Sequence, residues 1–286
     1  MKKLEAYLPL DILSHIRHYG NINELRIKRN SALVIKKDNR FIITDCKTDD
    51  SVFDEILDRL LEHSYHSKLG QIVEGYISLG DGYRAGIAGQ AVVQNGAVTN
   101  ISEISSVNIR IPYLIKGVSE GVVLHLRSTD FRESVLVYSP PGVGKTTLLR
   151  DLIIRLCREP YNKRVSVIDS RCEIYHSSMA CLDMLDLYLG YPKQKGIEQA
   201  IRSMAPDIII CDEIGNDAET DAILANQSAG IPIVATAHGS SCKALLRRSN
   251  INRMDRAGVF GCYIGISRKS AGSGYNYEFN KRNDIE

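Results

Sequence analysis

The chain has 286 residues, 44% hydrophobic and 24% charged, with basic side chains outnumbering acidic ones by only two. This composition suits a globular protein of two ordinary domains and excludes disordered, fibrous and strongly basic or acidic classes. Seven scattered cysteines without a Cys-x-x-Cys pair argue for reduced thiols and against a disulfide framework or zinc site, and no run of about 18 apolar residues is present to span a membrane.

From residue 10 to 18 the apolar spacing predicts a short amphipathic helix, and over 22–27 apolar residues alternate with Glu24 and Arg26 as in a half-buried strand. Two more short strands are expected over 32–36 and 41–44. Ser51 with Asp54 reads as a capping box opening a helix whose Phe53, Ile56, Leu57, Leu60 and Leu61 share one face. Turn chemistry at Gly80-Asp81-Gly82 and Asn95-Gly96 separates alternating runs over 76–79, 83–88, 90–94 and 97–101, a hairpin pattern. A strand over 107–111 completes an N-terminal α+β domain with an antiparallel meander, 1–115, and Pro112 with Gly117 marks the linker.

Beyond it the pattern changes to strands alternating with helices, which calls for an α/β domain with a mainly parallel sheet over 116–286. The expected strands are 134–138, 165–169, 207–211, 232–236 and 259–266. Ile197, Ala200, Ile201 and Met204 give a helical stripe that Pro206 ends, and an alanine-rich helix over 218–229 stops at Gly230. The polar tail 280–286 is expected to fray.

The first of these strands runs into Ser139-Pro140-Pro141-Gly142-Val143-Gly144-Lys145-Thr146-Thr147, and a helix follows. Strand, glycine-rich loop and helix in this order form a phosphate-binding loop: backbone N–H groups of 142–145 and the helix dipole converge on one concavity. Lys145 can reach β- and γ-phosphate oxygens and the Thr146 hydroxyl can ligate Mg²⁺. Ser139 stands where the motif asks for glycine, so a turn there has to be made by a residue with a Cβ.

A buried strand ending in Asp212-Glu213 is the second motif, placed third in the alternating series. At that edge of an open sheet, Asp212 can hold hydrated Mg²⁺ and Glu213 can polarise the attacking water. Thr236-Ala237-His238-Gly239 ends the next strand, where His238 can contact the γ-phosphate or the water. Asp169-Ser170-Arg171-Cys172-Glu173 ends the second strand, and Arg202 precedes the third. The catalytic expectation is therefore Glu213, Lys145, His238 and Arg202, acting on ATP with Mg²⁺ held by Thr146 and, through water, Asp212. The pairs His15/His18 and His63/His66 lack cysteine or acidic partners, so no metal is expected there. Arg247, Arg248, Arg253 and Arg256 form a basic cluster.

With these motifs in place the chain resembles the secretion-type ATPases of type II and type IV systems and pilus retraction, and more closely the stage III sporulation protein AA family of endospore-forming bacteria. The resemblance runs through Asn23-Glu24-Leu25-Arg26-Ile27, Gly75-Tyr76-Ile77, Arg84-Ala85-Gly86-Ile87 and Ile104 to Arg110. It continues in Ile201-Arg202-Ser203-Met204, Asp212-Glu213-Ile214-Gly215, Thr236 to Ser241 and Leu245-Leu246-Arg247-Arg248. It departs at Ser170, where the family has glutamate. The resemblance implies a RecA/AAA-like ATPase domain, a hexameric ring, and a mother-cell protein docked on the cytoplasmic portion of a membrane channel that links mother cell and forespore. Arg84, Arg110, Arg171 and Arg202 are the arginines available to complete a neighbour's site. The alternatives are a nucleic-acid-dependent NTPase of the same core, for which stacking aromatics and basic grooves are sparse, and a non-hydrolysing nucleotide-switch scaffold, which would not need Glu213. Neither nucleic acid nor direct membrane attachment is expected; docking would fall on the basic cluster.

Overall fold

The structure, a computed structural model, describes residues 2–282 except 21, 38, 39, 63, 64, 113 and 270–273. His63 and the last four residues of the tail lie outside the described residues. The chain forms two compact units, 1–113 and 114–286.

In the first unit the elements are α1 (Leu10–Arg17), β1 (Glu24–Lys28), β2 (Ser31–Lys37), β3 (Arg40–Thr48), α2 (Asp50–Leu60), α3 (Tyr65–Val73), β4 (Tyr76–Gly80), β5 (Tyr83–Gln94) and β6 (Ala97–Arg110). The strands form one antiparallel sheet in the order β3-β2-β1-β6-β5-β4. Its period-two pattern buries Leu25, Ile27, Leu33 and Ile35 on one face, where Ile12, Ile16, Phe53, Ile56 and Leu60 from the helices close the core. Two expectations change. The cap of α2 is Asp49, whose side chain accepts from the Val52 N–H, so the helix begins one residue before Ser51. The runs 83–88 and 90–94 are one strand: Gly89 makes a bulge, and a Cβ there would lie 2.7 Å from the Ser102 carbonyl oxygen.

The second unit contains α4 (Glu120–Ser128), β7 (Val135–Ser139), α5 (Lys145–Leu156), β8 (Val165–Asp169), β9 (Leu185–Leu189), α6 (Lys193–Ser203), β10 (Ile208–Glu213), α7 (Asp217–Asn226), β11 (Ile233–His238), α8 (Cys242–Leu246), α9 (Ser249–Arg256), β12 (Cys262–Arg268) and β13 (Tyr275–Lys281). The sheet order is β13-β12-β7-β11-β10-β8-β9, parallel except for the antiparallel pair β12–β13. β7 and β8 are buried at every residue, as central parallel strands covered on both faces must be. One face packs on α4 and α5 through Val122, Leu126, Leu149, Leu152 and Ile153, the other on α6 to α9 through Ile197, Ile223, Leu245 and Met254.

This unit is richer than the sequence pattern implied. α4, β9 and β13 were not expected, and α8 and α9 occupy the stretch read only as a basic cluster. β10 is accordingly the fourth strand in chain order, not the third. Its spatial position is what matters: β11 lies between β7 and β10, and β8 flanks β10 on the far side. All four run parallel, so their carboxyl ends open on one edge, and that edge carries the glycine-rich loop, Asp169, Asp212-Glu213 and His238, but not Arg202.

Candidate functional site

The phosphate loop leaves β7 at Ser139, which is still a strand residue and pairs in register with His238. Glycine is therefore not required at that position, and the departure from the motif falls on extended backbone. The glycine conformations come later, at Gly142 with φ 76° and Gly144 with φ 127°. Gly144 is the N-cap of α5 and among the described residues no side chain caps that helix, so its first N–H groups remain directed at the loop's concavity.

Lys145, the first residue of α5, is buried and turns back to the strand ends. Its ammonium donates to the Ser139 carbonyl at 3.2 Å and to the Nδ1 atom of His238 at 2.8 Å, with Ser139 Oγ at 3.4 Å. Burial pulls its pKa below the ordinary lysine value, and the Glu213 charge works against that shift. An ammonium has only donors, so His238 Nδ1 must accept and the ring proton sits on Nε2. That Nε2 lies 2.9 Å from Glu213 Oε2. A Lys145–His238–Glu213 line thus crosses three adjacent strands, a direct result of β11 lying between β7 and β10.

Asp212 points away from this line. Its Oδ1 is 2.9 Å from the Lys193 ammonium at the start of α6, an ion pair outside hydrogen-bond alignment. Lys193 is 7% exposed, also meets Glu219 Oε1 at 3.1 Å, and donates to the Glu213 carbonyl. Burial works against its charge, but Asp212 and Glu219 outweigh it and hold the ammonium above its usual pKa. Burial raises the Asp212 carboxyl to about 6, with Lys193 opposing. Glu219 also accepts from the Gly215 N–H at 2.7 Å and closes a reciprocal capping box with Asn216. Lys193 was missed by the sequence reading. Its signal lay in β9, whose presence places the next helix start on the same edge.

The remaining expected residues are dispersed. Asp169 is fully buried and its two oxygens accept N–H bonds of 2.8–2.9 Å from Glu173, Ile174 and Tyr175, so it shapes the loop after β8. Arg150 of α5 fastens the same loop through the Glu173 and Ile174 carbonyls. Arg171 is exposed on it. Arg202 is not brought to the cluster. It lies exposed nine residues along α6 from Lys193, about 13 Å at helical rise, towards the edge where β10 begins. Arg84 packs over the Tyr76 ring and Arg110 is exposed, both in the first unit. Of the basic cluster, Arg248 donates to the His238 carbonyl at 3.0 Å and Arg253 pairs with Asp217 and Asp221, so those two are engaged within the chain.

The residues fit a magnesium nucleotide. Asp212 stands at the end of β10 with its carboxylate held by Lys193, Thr146 stands half-buried in the first turn of α5, and hard oxygen donors of this kind suit Mg²⁺. The positive-φ loop with an uncapped helix start suits a phosphate.

Among solved structures, the pilus retraction motor PilT with bound ADP superposes with a TM-score of 0.67 at 14% identity, covering 96% of this chain and 85% of that one. The Legionella pneumophila ATPase DotB gives 0.64 at 14% identity, covering 96% and 81%. These likenesses fix the fold as that of the secretion ATPases: a phosphate-loop α/β domain preceded by an antiparallel α+β unit. In sequence, the Stage III sporulation protein AA of Bacillus subtilis is 33% identical over 224 residues, 74% of this chain and 72% of that protein. The family model for sporulation stage III, protein AA matches residues 10–282. The chain therefore belongs to the sporulation stage III protein AA family.

Proposed function

We propose that the protein is a Mg²⁺-dependent ATPase whose turnover energises assembly of, or transport through, a secretion-like membrane channel between mother cell and forespore. The observation that carries this reading is the Lys145–His238–Glu213 line beside the Lys193-held Asp212. The likeness to a retraction motor solved with ADP supports the choice of nucleotide.

In this reading the chemistry belongs to residues 116–286. The N–H groups of 142–145 and the start of α5 bind the β-phosphate, with Ser139 to Thr147 forming the cradle. Thr146 and, through water, Asp212 hold Mg²⁺, which when bound neutralises charge on the β- and γ-oxygens. Lys145 exchanges His238 for phosphate oxygens. Glu213 keeps Oε2 on His238 and offers Oε1 to the proton of the attacking water, help worth about 10² to 10⁴ in rate. His238 orients that base and, through Nδ1, registers whether Lys145 has turned to phosphate. Arg202, remote from its own site, serves a neighbouring copy in a homo-oligomer, a hexamer by family resemblance, with Arg84, Arg110 and Arg171 as the other candidates for that role.

Among the described residues no helix is long and apolar enough to cross a membrane, so attachment on the mother-cell side is assigned to the cytoplasmic portion of a channel protein. Arg247 and Arg256 are the exposed members of the basic cluster left for that contact.

Nucleotide titration and steady-state hydrolysis test the reading. Lys145→Ala should abolish ATP binding, whereas Glu213→Gln should bind ATP and lose turnover. Wild-type turnover in Glu213→Gln would remove the base assignment, and a wild type that binds without hydrolysing would make the protein a nucleotide switch.

A further inference from the structure

The phosphate loop has a second set of contacts, on the side away from its concavity. Arg268, the last residue of β12, donates through Nε to the Val143 carbonyl at 2.9 Å and through a terminal nitrogen to the Gly142 carbonyl at 3.0 Å. Tyr275, the first residue of β13, donates its hydroxyl to the Gly144 carbonyl at 3.0 Å. The two side chains are direct cross-strand partners in the last register pair of the β12–β13 ladder, so they leave the same face together. Carbonyls 142 and 143 of the loop are therefore held by one end of one antiparallel pair, and carbonyl 144 is shared between Tyr275 and the Leu148 N–H of α5, also at 3.0 Å. The fit is close: a Cβ on Gly144 would stand 1.9 Å from the Tyr275 hydroxyl oxygen. β12 in turn pairs with β7, the strand that feeds the loop, so the two anchors and the loop share one rigid sheet.

Peptide planarity turns this into a statement about donors. In a trans peptide the carbonyl of one residue and the N–H of the next point in opposite directions. Holding carbonyls 142, 143 and 144 outward turns the N–H groups of Val143, Gly144 and Lys145 inward, towards the concavity. The first α5 bond sets the orientation of carbonyl 144, but the glycines at 142 and 144 leave the peptides carrying carbonyls 142 and 143 free to flip. The guanidinium matches two adjacent carbonyls with a planar fork, which a lysine ammonium cannot reproduce. Tyr275 suits the third contact because burial pushes its hydroxyl pKa up to about 12, which keeps it a donor.

We infer that Arg268 and Tyr275 are positioning residues that clasp the outer side of the phosphate loop and pre-set its N–H groups for a nucleoside diphosphate. The inference rests on the nucleotide-binding reading above and adds to it a dependence of phosphate affinity on the β12–β13 pair. They touch no phosphate themselves; their effect is to remove the ordering that the loop would otherwise undergo on binding.

The test uses the full chain with Arg268→Ala, Arg268→Lys, Tyr275→Phe and, as a control on the same strand, Tyr277→Phe, whose hydroxyl donates to the Val118 carbonyl and to no loop residue. ADP affinity is measured by calorimetry, and hydrogen exchange is followed on the loop amides in the nucleotide-free protein. Arg268→Ala should weaken ADP about tenfold and Tyr275→Phe a few-fold, with faster exchange at 143–145 in both, and Arg268→Lys should restore little. Tyr277→Phe should lower the melting temperature and leave ADP affinity and loop exchange unchanged. Wild-type affinity and exchange in Arg268→Ala, or equal losses in Tyr277→Phe, would overturn the clasp. Should wild type itself not bind ADP, the nucleotide reading falls, and loop exchange still decides the clasp.

Discussion

Asp212 gives the site a pH dependence whose sign can be worked out. Its ordinary value is 3.8 and burial raises it to about 6. The folded chain therefore binds an extra proton between about pH 4 and 6, and folding stability should fall as pH rises through that window. Metal binding has the opposite sense, because Mg²⁺ needs the ionised carboxylate. Calorimetry of Mg·ADP should show affinity strengthening from pH 5 to 7 with proton release, and Asp212→Asn should flatten the profile. A flat profile in the wild-type chain would remove Asp212 from the metal site. At this scale the sequence was informative where chemistry imposes spacing. The motif's fixed offsets singled out Gly142 and Gly144, which have positive φ, and Lys145, which opens α5. Lys193 obeys no offset, since it reaches Asp212 across the sheet and only the strand order brings the two together. Ser139 shows the reverse: the motif departure looked like a turn problem and the backbone proved to be strand.

At the scale of elements, α4 illustrates a helix invisible to local signals. Ser119 precedes it but caps nothing with its own side chain. The segment entering it is instead pinned by Asp151 on α5, whose carboxylate accepts from the Gly117 N–H at 3.0 Å, the Ser119 N–H at 2.8 Å and the Ser119 hydroxyl at 2.6 Å. Asp151 is 3% exposed, so removing it strands buried donors. Asp151→Ala should cost about 2–3 kcal/mol, read from the urea midpoint, while nucleotide affinity stays intact. A change below about 0.5 kcal/mol would mean this tie is dispensable. β9 and β13 were missed for related reasons. β9 is a half-buried edge strand whose Leu185, Leu187 and Leu189 alternate with Asp186 and Tyr188, so it lacks the unbroken apolar run of the central parallel strands. β13 carries Tyr275, Tyr277 and Phe279 at period two, but it is the antiparallel edge of a parallel sheet and broke the alternation of strand and helix. The five central strands were legible because burial on both faces leaves unbroken apolar runs.

For the molecule as a whole, the two units were visible as a change of rhythm, from alternating runs with glycine turns to strands spaced by helices. The distribution of arginines bears on assembly: Arg202 lies along α6 towards the other edge of the sheet from the Lys145–His238–Glu213 line. Sedimentation velocity of Glu213→Gln at micromolar concentration should show ATP-promoted oligomers, and a monomer throughout would count against a ring. The two surface helices α7 and α9 are also tied to both sides of that line. α7 is anchored through its Asn216–Glu219 cap to Lys193, and α9 through Arg248 to the His238 carbonyl. Arg253 bolts the two helices together at Asp217 and Asp221. A change of an ångström in the spacing between the ends of β10 and β11 has nowhere to dissipate inside a close-packed domain. Because Arg253 braces α9 to α7, such a change would reach the surface as a shift of the two helices together, with their outer face as the place where the spacing of two strand ends can be sensed.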